Sequence, residues 1–238
     1  MSPDLANILF LDIETVACTD AYANLSERLK TQWARKASFF KREENQTDED
    51  LFNLRAGIYA EFGKVIVIAV GKFYEPEPGK LGLKTRCLSS DDEKKLLIDF
   101  KTLVEKSDLT TLKLCAHNGK EFDFPYLSRR MLVNGVAMPD ILNLSGRKPW
   151  ETPHLDTMEM WKFGDYKHYT SLDLLAAIFN IPTSKTDMDG SKVNHVYYAE
   201  KDLTKIATYC TGDVVVLAQL YLKLKNMECI ENRFIIGG

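Results

Sequence analysis

Long apolar runs are missing from this chain. No stretch reaches the ~20 residues that a helix needs to cross a membrane, and the opening Met-Ser-Pro-Asp-Leu-Ala-Asn carries neither the basic start nor the apolar run of a secretory leader. Cysteine is sparse and unpaired in pattern. Cys18, Cys87, Cys115, Cys210 and Cys229 are odd in number, widely scattered and without a Cys-x-x-Cys pair. That argues against a zinc site or a disulfide framework and fits a reducing compartment, so a cytoplasmic protein is expected. An excess of positive charge is lacking too: 31 Lys and Arg stand against 34 Asp and Glu, for a net charge of -3. No global basic field announces a nucleic-acid partner. This excludes recognition by bulk charge only, because acids gathered around metal ions can hold phosphate on an acidic protein.

What is present is an ordinary globular composition, with 45% hydrophobic and 27% charged residues. A chain of 238 residues can bury a sizeable core. One domain over 1–238 is expected, with a helical insertion over about 17–62.

The informative residues are four carboxylates in three separated motifs. Asp12 and Glu14 lie in Leu9-Phe-Leu-Asp-Ile-Glu-Thr15, Asp123 in His117-Asn-Gly-Lys-Glu-Phe-Asp-Phe-Pro125, and Asp213 in Tyr209-Cys-Thr-Gly-Asp213. Ile8 to Ile13 reads as a buried strand, so Asp12 and Glu14, two apart, leave the same face. Tyr209 and Asp213 are four apart on a helix and stack on one side of it. Asp213 is followed by Val214, Val215, Val216 and Leu217, and a buried acid without a partner costs several kcal/mol or takes up a proton. A metal ion removes that penalty, and hard cations such as Mg²⁺ take oxygen ligands of this kind. Each motif alone has a plainer reading as a solvated strand end, a cap before Pro125, or an incidental i, i+4 pair.

Asp-x-Glu, Asn-x-x-x-Phe-Asp and Tyr-x-x-x-Asp, in this order, resemble the tyrosine branch of the DEDD (DnaQ-like) 3′-to-5′ exonucleases. The likeness is greatest to a stand-alone group related to the exonuclease domain of family B DNA polymerases. It extends over Pro149-Trp-Glu, His154-Leu-Asp-Thr157, Trp161-Lys-Phe-Gly164, Thr170-Ser-Leu-Asp-Leu-Leu175 and Asp187-Met-Asp-Gly-Ser191. The resemblance implies an α/β, ribonuclease H-like fold: a mixed five-stranded sheet flanked by helices, with the insertion after the first strand. It implies two Mg²⁺ or Mn²⁺ ions, with Asp12 bridging them, Glu14 and Asp213 completing one and Asp123 holding the other. It also implies that Asn118 holds terminal nucleotides, with Thr15 bonding the end and Phe122 bracing the loop. Tyr209, whose hydroxyl normally titrates near pH 10, is a poor base at neutral pH and is expected to orient water.

The expected reaction is hydrolysis at the 3′ end of single-stranded DNA to nucleoside 5′-monophosphates, in repair or replication-associated trimming. RNA or short oligonucleotides are the alternative substrate. A catalytically idle binding module is the alternative class, disfavoured because a binder has no reason to crowd four acids where phosphates approach. A polymerase domain has no room in this length, so any proofreading would act in trans. His117, His154, His168 and His195 lack metal-ligand spacing, Asp156 and Asp173 are expected to be structural, and the Asp187 to Ser191 loop lacks the third acid of a calcium loop.

Further strands are expected over Val65 to Phe73, Leu81 to Leu88, Leu112 to Ala116 and Leu155 to Met158. Ser90 and Glu93 suggest a capping box for a helix with Leu96, Leu97, Phe100, Leu103 and Val104 on one stripe. Pro125 opens a helix that Asn134-Gly135 ends, Ser171 to Phe179 is another, and Leu203 to Lys225 is a long last one. In the insertion, helices are expected around Ser26 to Lys41 and from Thr47, whose Asp50 completes a capping box and whose Leu51, Leu54 and Ile58 share a face. Its charges are sorted, with Arg28, Lys30, Arg35, Lys36, Lys41 and Arg42 ahead of Glu43, Glu44, Asp48, Glu49 and Asp50. Solvated faces of a helical pair are the expectation, and a basic helix touching a DNA strand is the alternative. Charge reversal at Arg35 and Lys36 separates the two: unchanged, salt-dependent binding of a DNA oligonucleotide is expected, and weakened binding would show contact.

Overall fold

A computed structural model describes residues 1–165, 169–183 and 188–237. Of the residues singled out above, His168 and Asp187 lie outside these. Strands β1 (Ile8–Ala17), β2 (Gly63–Tyr74), β3 (Gly82–Ser89), β4 (Lys113–Ala116), β5 (Leu155–Asp156) and β6 (Ile235–Gly237) form one sheet in the order β5-β4-β1-β2-β3-β6. β2 runs antiparallel to both β1 and β3, while β4 joins β1, β5 joins β4 and β6 joins β3 in parallel. The helices are α1 (Pro3–Ala6), α2 (Glu27–Ala37), α3 (Asp48–Arg55), α4 (Glu93–Val104), α5 (Asp123–Val133), α6 (Thr157–Lys162), α7 (Leu172–Ile178), α8 (Val193–His195) and α9 (Leu203–Leu224). The mixed sheet with flanking helices is the one expected, with six strands where five were expected. The additional β6 is three residues long, too short for any alternation to declare it.

Apolar residues fill both faces of β1, and its period of two sorts them. Ile8, Phe10 and Val16 pack with Val214, Leu217 and Tyr221 of α9, whereas Leu9, Leu11 and Ile13 pack with Phe100 of α4 and Phe124 and Leu127 of α5. Each such side chain contributes roughly 1.5–3 kcal/mol when fully buried, so register along β1 is firmly set. A slip by one residue would carry Asp12 and Glu14 away from α9 and into the apolar layer beneath α4 and α5.

Four local expectations differ in the structure. The cap of α4 is Asp92, which accepts the Lys95 amide, while Glu93 turns inward. There it takes a bidentate pair from Arg130 at 2.8 and 2.6 Å and the Val65 amide at 2.8 Å. Arg130 also donates to the Ala60 carbonyl, so α4, α5 and the end of the insertion meet at one buried ion pair. The strand expected over Leu155 to Met158 stops at Asp156, whose carboxylate caps α6. Helix α5 begins at Asp123 instead of Pro125. In α3 the capping box of Thr47 and Asp50 is formed, but the helix buries Leu51 and Phe52 and leaves Leu54 and Ile58 59% and 55% exposed.

The insertion has its own core around Trp33, which is fully buried and donates its indole N–H to the Asp48 carbonyl at 2.8 Å. Lys36, partly exposed, lies over the Tyr59 ring at 4.1 Å and 3.6 Å from Glu61. No helix among the described residues is long and apolar enough to cross a membrane. Removing one member of a buried ion pair strands the other, at ~3–5 kcal/mol. Arg130→Ala is therefore expected to lower the urea midpoint sharply while exposed Arg129→Ala leaves it nearly unchanged; equal small shifts would show that the pair carries little.

Candidate active site

Three elements bring the four carboxylates together. β1 supplies Asp12 and Glu14, opposite Ala69 and Val67 of β2. A break in the β1/β2 register follows directly, between Glu14 and Thr15. On the other side β1 outruns β4, whose pairing ends at Phe10 opposite Cys115. Asp123 is the first residue of α5 and is buried there. A carboxylate at a helix N-terminus is favoured by the free N–H groups there. From the opposite face α9 presents Tyr209, Cys210 and Asp213.

The loop from His117 to Phe122 is shaped by Asp156. Its two oxygens accept the amides of Asn118 at 3.0 Å, Lys120 at 3.1 Å and Met158 at 2.9 Å. Asn118 takes the left-handed conformation at φ 63°, which asparagine tolerates better than most residues. Gly119 follows because a Cβ there would lie 2.3 Å from that of Ala116. The structural role expected for Asp156 is thus the one observed. His117 is pinned through both ring nitrogens, to the Thr157 hydroxyl at 2.9 Å and the Thr170 carbonyl at 2.8 Å. His154 is a core residue whose burial pushes its pKa down to about 4.

The electrostatics are those of acids forced together. Burial, then the charges of Asp123 and Asp213, raise the pKa of Asp12 well above the ordinary carboxylate range. Glu14 is raised likewise by burial and by Asp12, Asp213 and Asp123. Burial lifts Asp123 to about 7 against the opposing pull of backbone hydrogen bonding. Asp213 is lifted to about 6 by burial and by nearby Asp173, partly offset by a hydrogen bond from the Tyr209 hydroxyl. Burial and the same acids hold Tyr209 protonated far above neutral pH, so it acts as a donor.

The expected substrate contacts are placed as follows. Thr15 donates its hydroxyl to the Gly57 carbonyl at 2.8 Å, tying β1 to the insertion. Asn118 keeps a buried side-chain oxygen without a hydrogen-bond partner among the described residues. The ring of Phe122 lies 5.3 Å from that of Tyr126, bracing the loop. A cleft of about 440 Å³ opens beside the acids, lined by Asp12, Tyr209, Asp213, His117, Tyr169 and Asp173, among others.

Two residues at the site escape the sequence reading. Cys210 places its sulfur 3.2 Å from a carboxylate oxygen of Asp12, and ligand atoms of Asp12, Glu14 and Cys210 all lie within 4.8 Å of one another. Its signal was available, since it stands three residues before Asp213 on the same helix face. Tyr169, at the rim, had no signal beyond being an aromatic ahead of Thr170-Ser.

The donor set fits divalent cations. Hard oxygens dominate, the acids repel one another, and their raised pKa values measure how poorly the protein alone satisfies them. The family described as a predicted 3′-5′ exonuclease related to the exonuclease domain of PolB matches residues 58–232. No curated protein matches. Among solved structures, the family B DNA polymerase from the hyperthermophilic archaeon Pyrobaculum calidifontis is similar with a TM-score of 0.56 at 16% identity, over 92% of this chain. This chain spans 24% of that polymerase, and at such identity the likeness is one of fold alone.

Acids whose folded pKa is raised hold protons more tightly folded than unfolded, so stability falls as pH rises from the ordinary aspartate range through the folded values of about 6 and about 7. The metal-free protein is expected to lose thermal stability between about pH 4 and about pH 8, and Mn²⁺ to restore more of it at the upper end. Asp123→Asn should flatten the metal-free slope; an unchanged slope would place its origin elsewhere.

Proposed function

Because the chain belongs to the family of predicted 3′-5′ exonucleases related to the exonuclease domain of PolB, we infer that it is a metal-dependent exonuclease of single-stranded DNA 3′ ends. The reading takes 1–238 as one exonuclease unit in the cytoplasm, with repair or replication-associated trimming as its setting. The observation that carries it is the convergence of Asp12, Glu14, Asp123 and Asp213 from β1, α5 and α9, each with a pKa raised by burial or by the others. Four acids in one place repel phosphate unless cations intervene, so this arrangement suits a metal-loaded site and little else.

In this reading Asp12, Glu14, Asp123 and Asp213 hold two Mg²⁺ or Mn²⁺ ions. When bound, such ions activate water and neutralise charge on the attacking and leaving oxygens of an in-line displacement. The remaining work falls to the chain. Tyr209 stays protonated and offers its hydroxyl as a donor, orienting the attacking water while Asp213 holds the tyrosine. Asn118 is assigned to holding the terminal nucleotide, and Thr15 and Phe122 keep the walls in place. Hydrolysis breaks the bond between the terminal phosphorus and the 3′ oxygen of the preceding nucleotide. The water oxygen stays on the released 5′-monophosphate, and the 3′ oxygen leaves as a hydroxyl.

The test is degradation of matched 5′-labelled single-stranded DNA and RNA with Mg²⁺, Mn²⁺ or EDTA. A metal-dependent ladder shortening from the 3′ end is expected, faster on DNA and abolished in Asp12→Ala. Tyr209→Phe should retain activity reduced by about 10- to 100-fold, as for a residue acting beside the metal ligands. RNA cut faster than DNA would make it an exoribonuclease. Absence of any ladder from folded wild-type protein would overturn the enzyme in favour of a binding module.

A further inference from the structure

The cleft holds one aromatic group that the carboxylates have no use for. Tyr169 lines it together with Asp12, Tyr209 and Asp213 and leaves 62% of its surface exposed. An exposed tyrosine at a rim is ordinarily free to swing, but this one stands on a fixed support. Its neighbour Thr170 is bonded through its carbonyl to the pinned ring of His117, and the His117 and Tyr169 rings meet edge to face with centroids 6.1 Å apart. His117 is in turn locked by Thr157 and immediately precedes Asn118. Partial burial, and then the charges of Asp123, Asp12, Asp156 and Asp213, raise the pKa of the Tyr169 hydroxyl, which sets the ring within the field of the acid cluster.

Tyr169 shares the cleft with Asp12 and Asp213, so a strand whose terminal phosphate lies on those acids has this ring beside its last nucleotide. Bases of any sequence present a π-face, and stacking on an aromatic side chain orders them without reading their edges. Leu172, Met188 and Val216 line the same cleft, so it offers apolar surface as well as charge. We propose that Tyr169, mounted on His117, is the stacking platform for the nucleobase of the 3′-terminal nucleotide. It selects a base-bearing end while leaving the identity of the base open. The proposal rests on the exonuclease reading above and names the part of the substrate that the site holds besides phosphate.

The test compares two 5′-labelled DNA oligonucleotides, one with an ordinary 3′-terminal nucleotide and one whose last residue is abasic. Wild-type protein and Tyr169→Phe are expected to remove the ordinary terminus with a kcat/KM about tenfold or more above that for the abasic one. Tyr169→Ala should lose this preference by slowing on the ordinary end alone, chiefly through KM, with the abasic end processed at the wild-type rate. A merely structural role would slow both substrates alike. An abasic residue ten positions inside the strand should have no effect on the first cleavage. If wild-type protein degrades both ends equally, or if Tyr169→Ala keeps the full preference, the stacking site is overturned while the exonuclease stands. If the ordinary strand is not degraded at all, the exonuclease reading falls and the platform falls with it.

Discussion

The mutual repulsion of Asp12, Glu14, Asp123 and Asp213 is the constraint around which this fold is arranged. Left to themselves, four acids separate or take up protons, and the raised pKa values at all four sites are the trace of that tendency. The structure opposes it with rigidity. β1 is buried on both faces, so Asp12 and Glu14 cannot withdraw without exposing the apolar residues that alternate with them. Asp123 is buried at the head of α5, and α9 is anchored through Cys210, Val214 and Leu217 under the sheet. An apolar core thus keeps ionisable groups close, an arrangement that marks a functional site.

The insertion matters in the same terms. The Gly57 carbonyl accepts from both the Thr15 hydroxyl and the Tyr126 hydroxyl, each at 2.8 Å. It therefore ties the strand bearing Asp12 and Glu14 to the helix bearing Asp123. Close approach explains the glycine, since a Cβ at Gly57 would lie 3.2 Å from the Thr15 carbonyl oxygen and the Val16 backbone. A second tie, between Arg130 of α5 and Glu93 of α4, reaches the insertion through the Ala60 carbonyl. Around the fixed core of Trp33, the helices of the insertion brace the acid-bearing elements from outside. The sorted charges on their surface are partly spent within the molecule, as the contacts of Lys36 with Glu61 and Tyr59 show.

Much of this was legible because it is local and periodic. The alternation in β1 and β2, the stripe of α4, the Thr47 and Asp50 box and the length of α9 all follow from residues within one element. What escaped depends on a partner distant in sequence. Glu93 looks like the last position of a capping box until Arg130, 37 residues on, claims it. Leu54 and Ile58 read as a buried stripe until α3 ends at Arg55 and its packing shifts to Leu51 and Phe52. β6 exists only because β3 offers an edge. At the site, the carboxylates were visible because strand and helix spacing places them, whereas Cys210 reads as one more apolar residue of α9 and Tyr169 acquires meaning only through His117.

Sequence similarity and geometry divide the case between them in an instructive way. The family match begins at Ile58, after β1, so it covers Asp123, Tyr209 and Asp213 but leaves out Asp12 and Glu14. Those two were legible from the strand pattern instead, and in three dimensions their pKa values rise in the field of Asp213 and Asp123 while their ligand atoms approach that of Cys210. A family assignment drawn from the matched part covers Asp123 and Asp213, whose pKa values burial already raises, but not the two acids of β1. It is the arrival of β1, laid between β2 and β4, that brings Asp12 and Glu14 into the field of Asp123 and Asp213. The chemistry follows from that juxtaposition, and the other strands and helices serve to make it unavoidable.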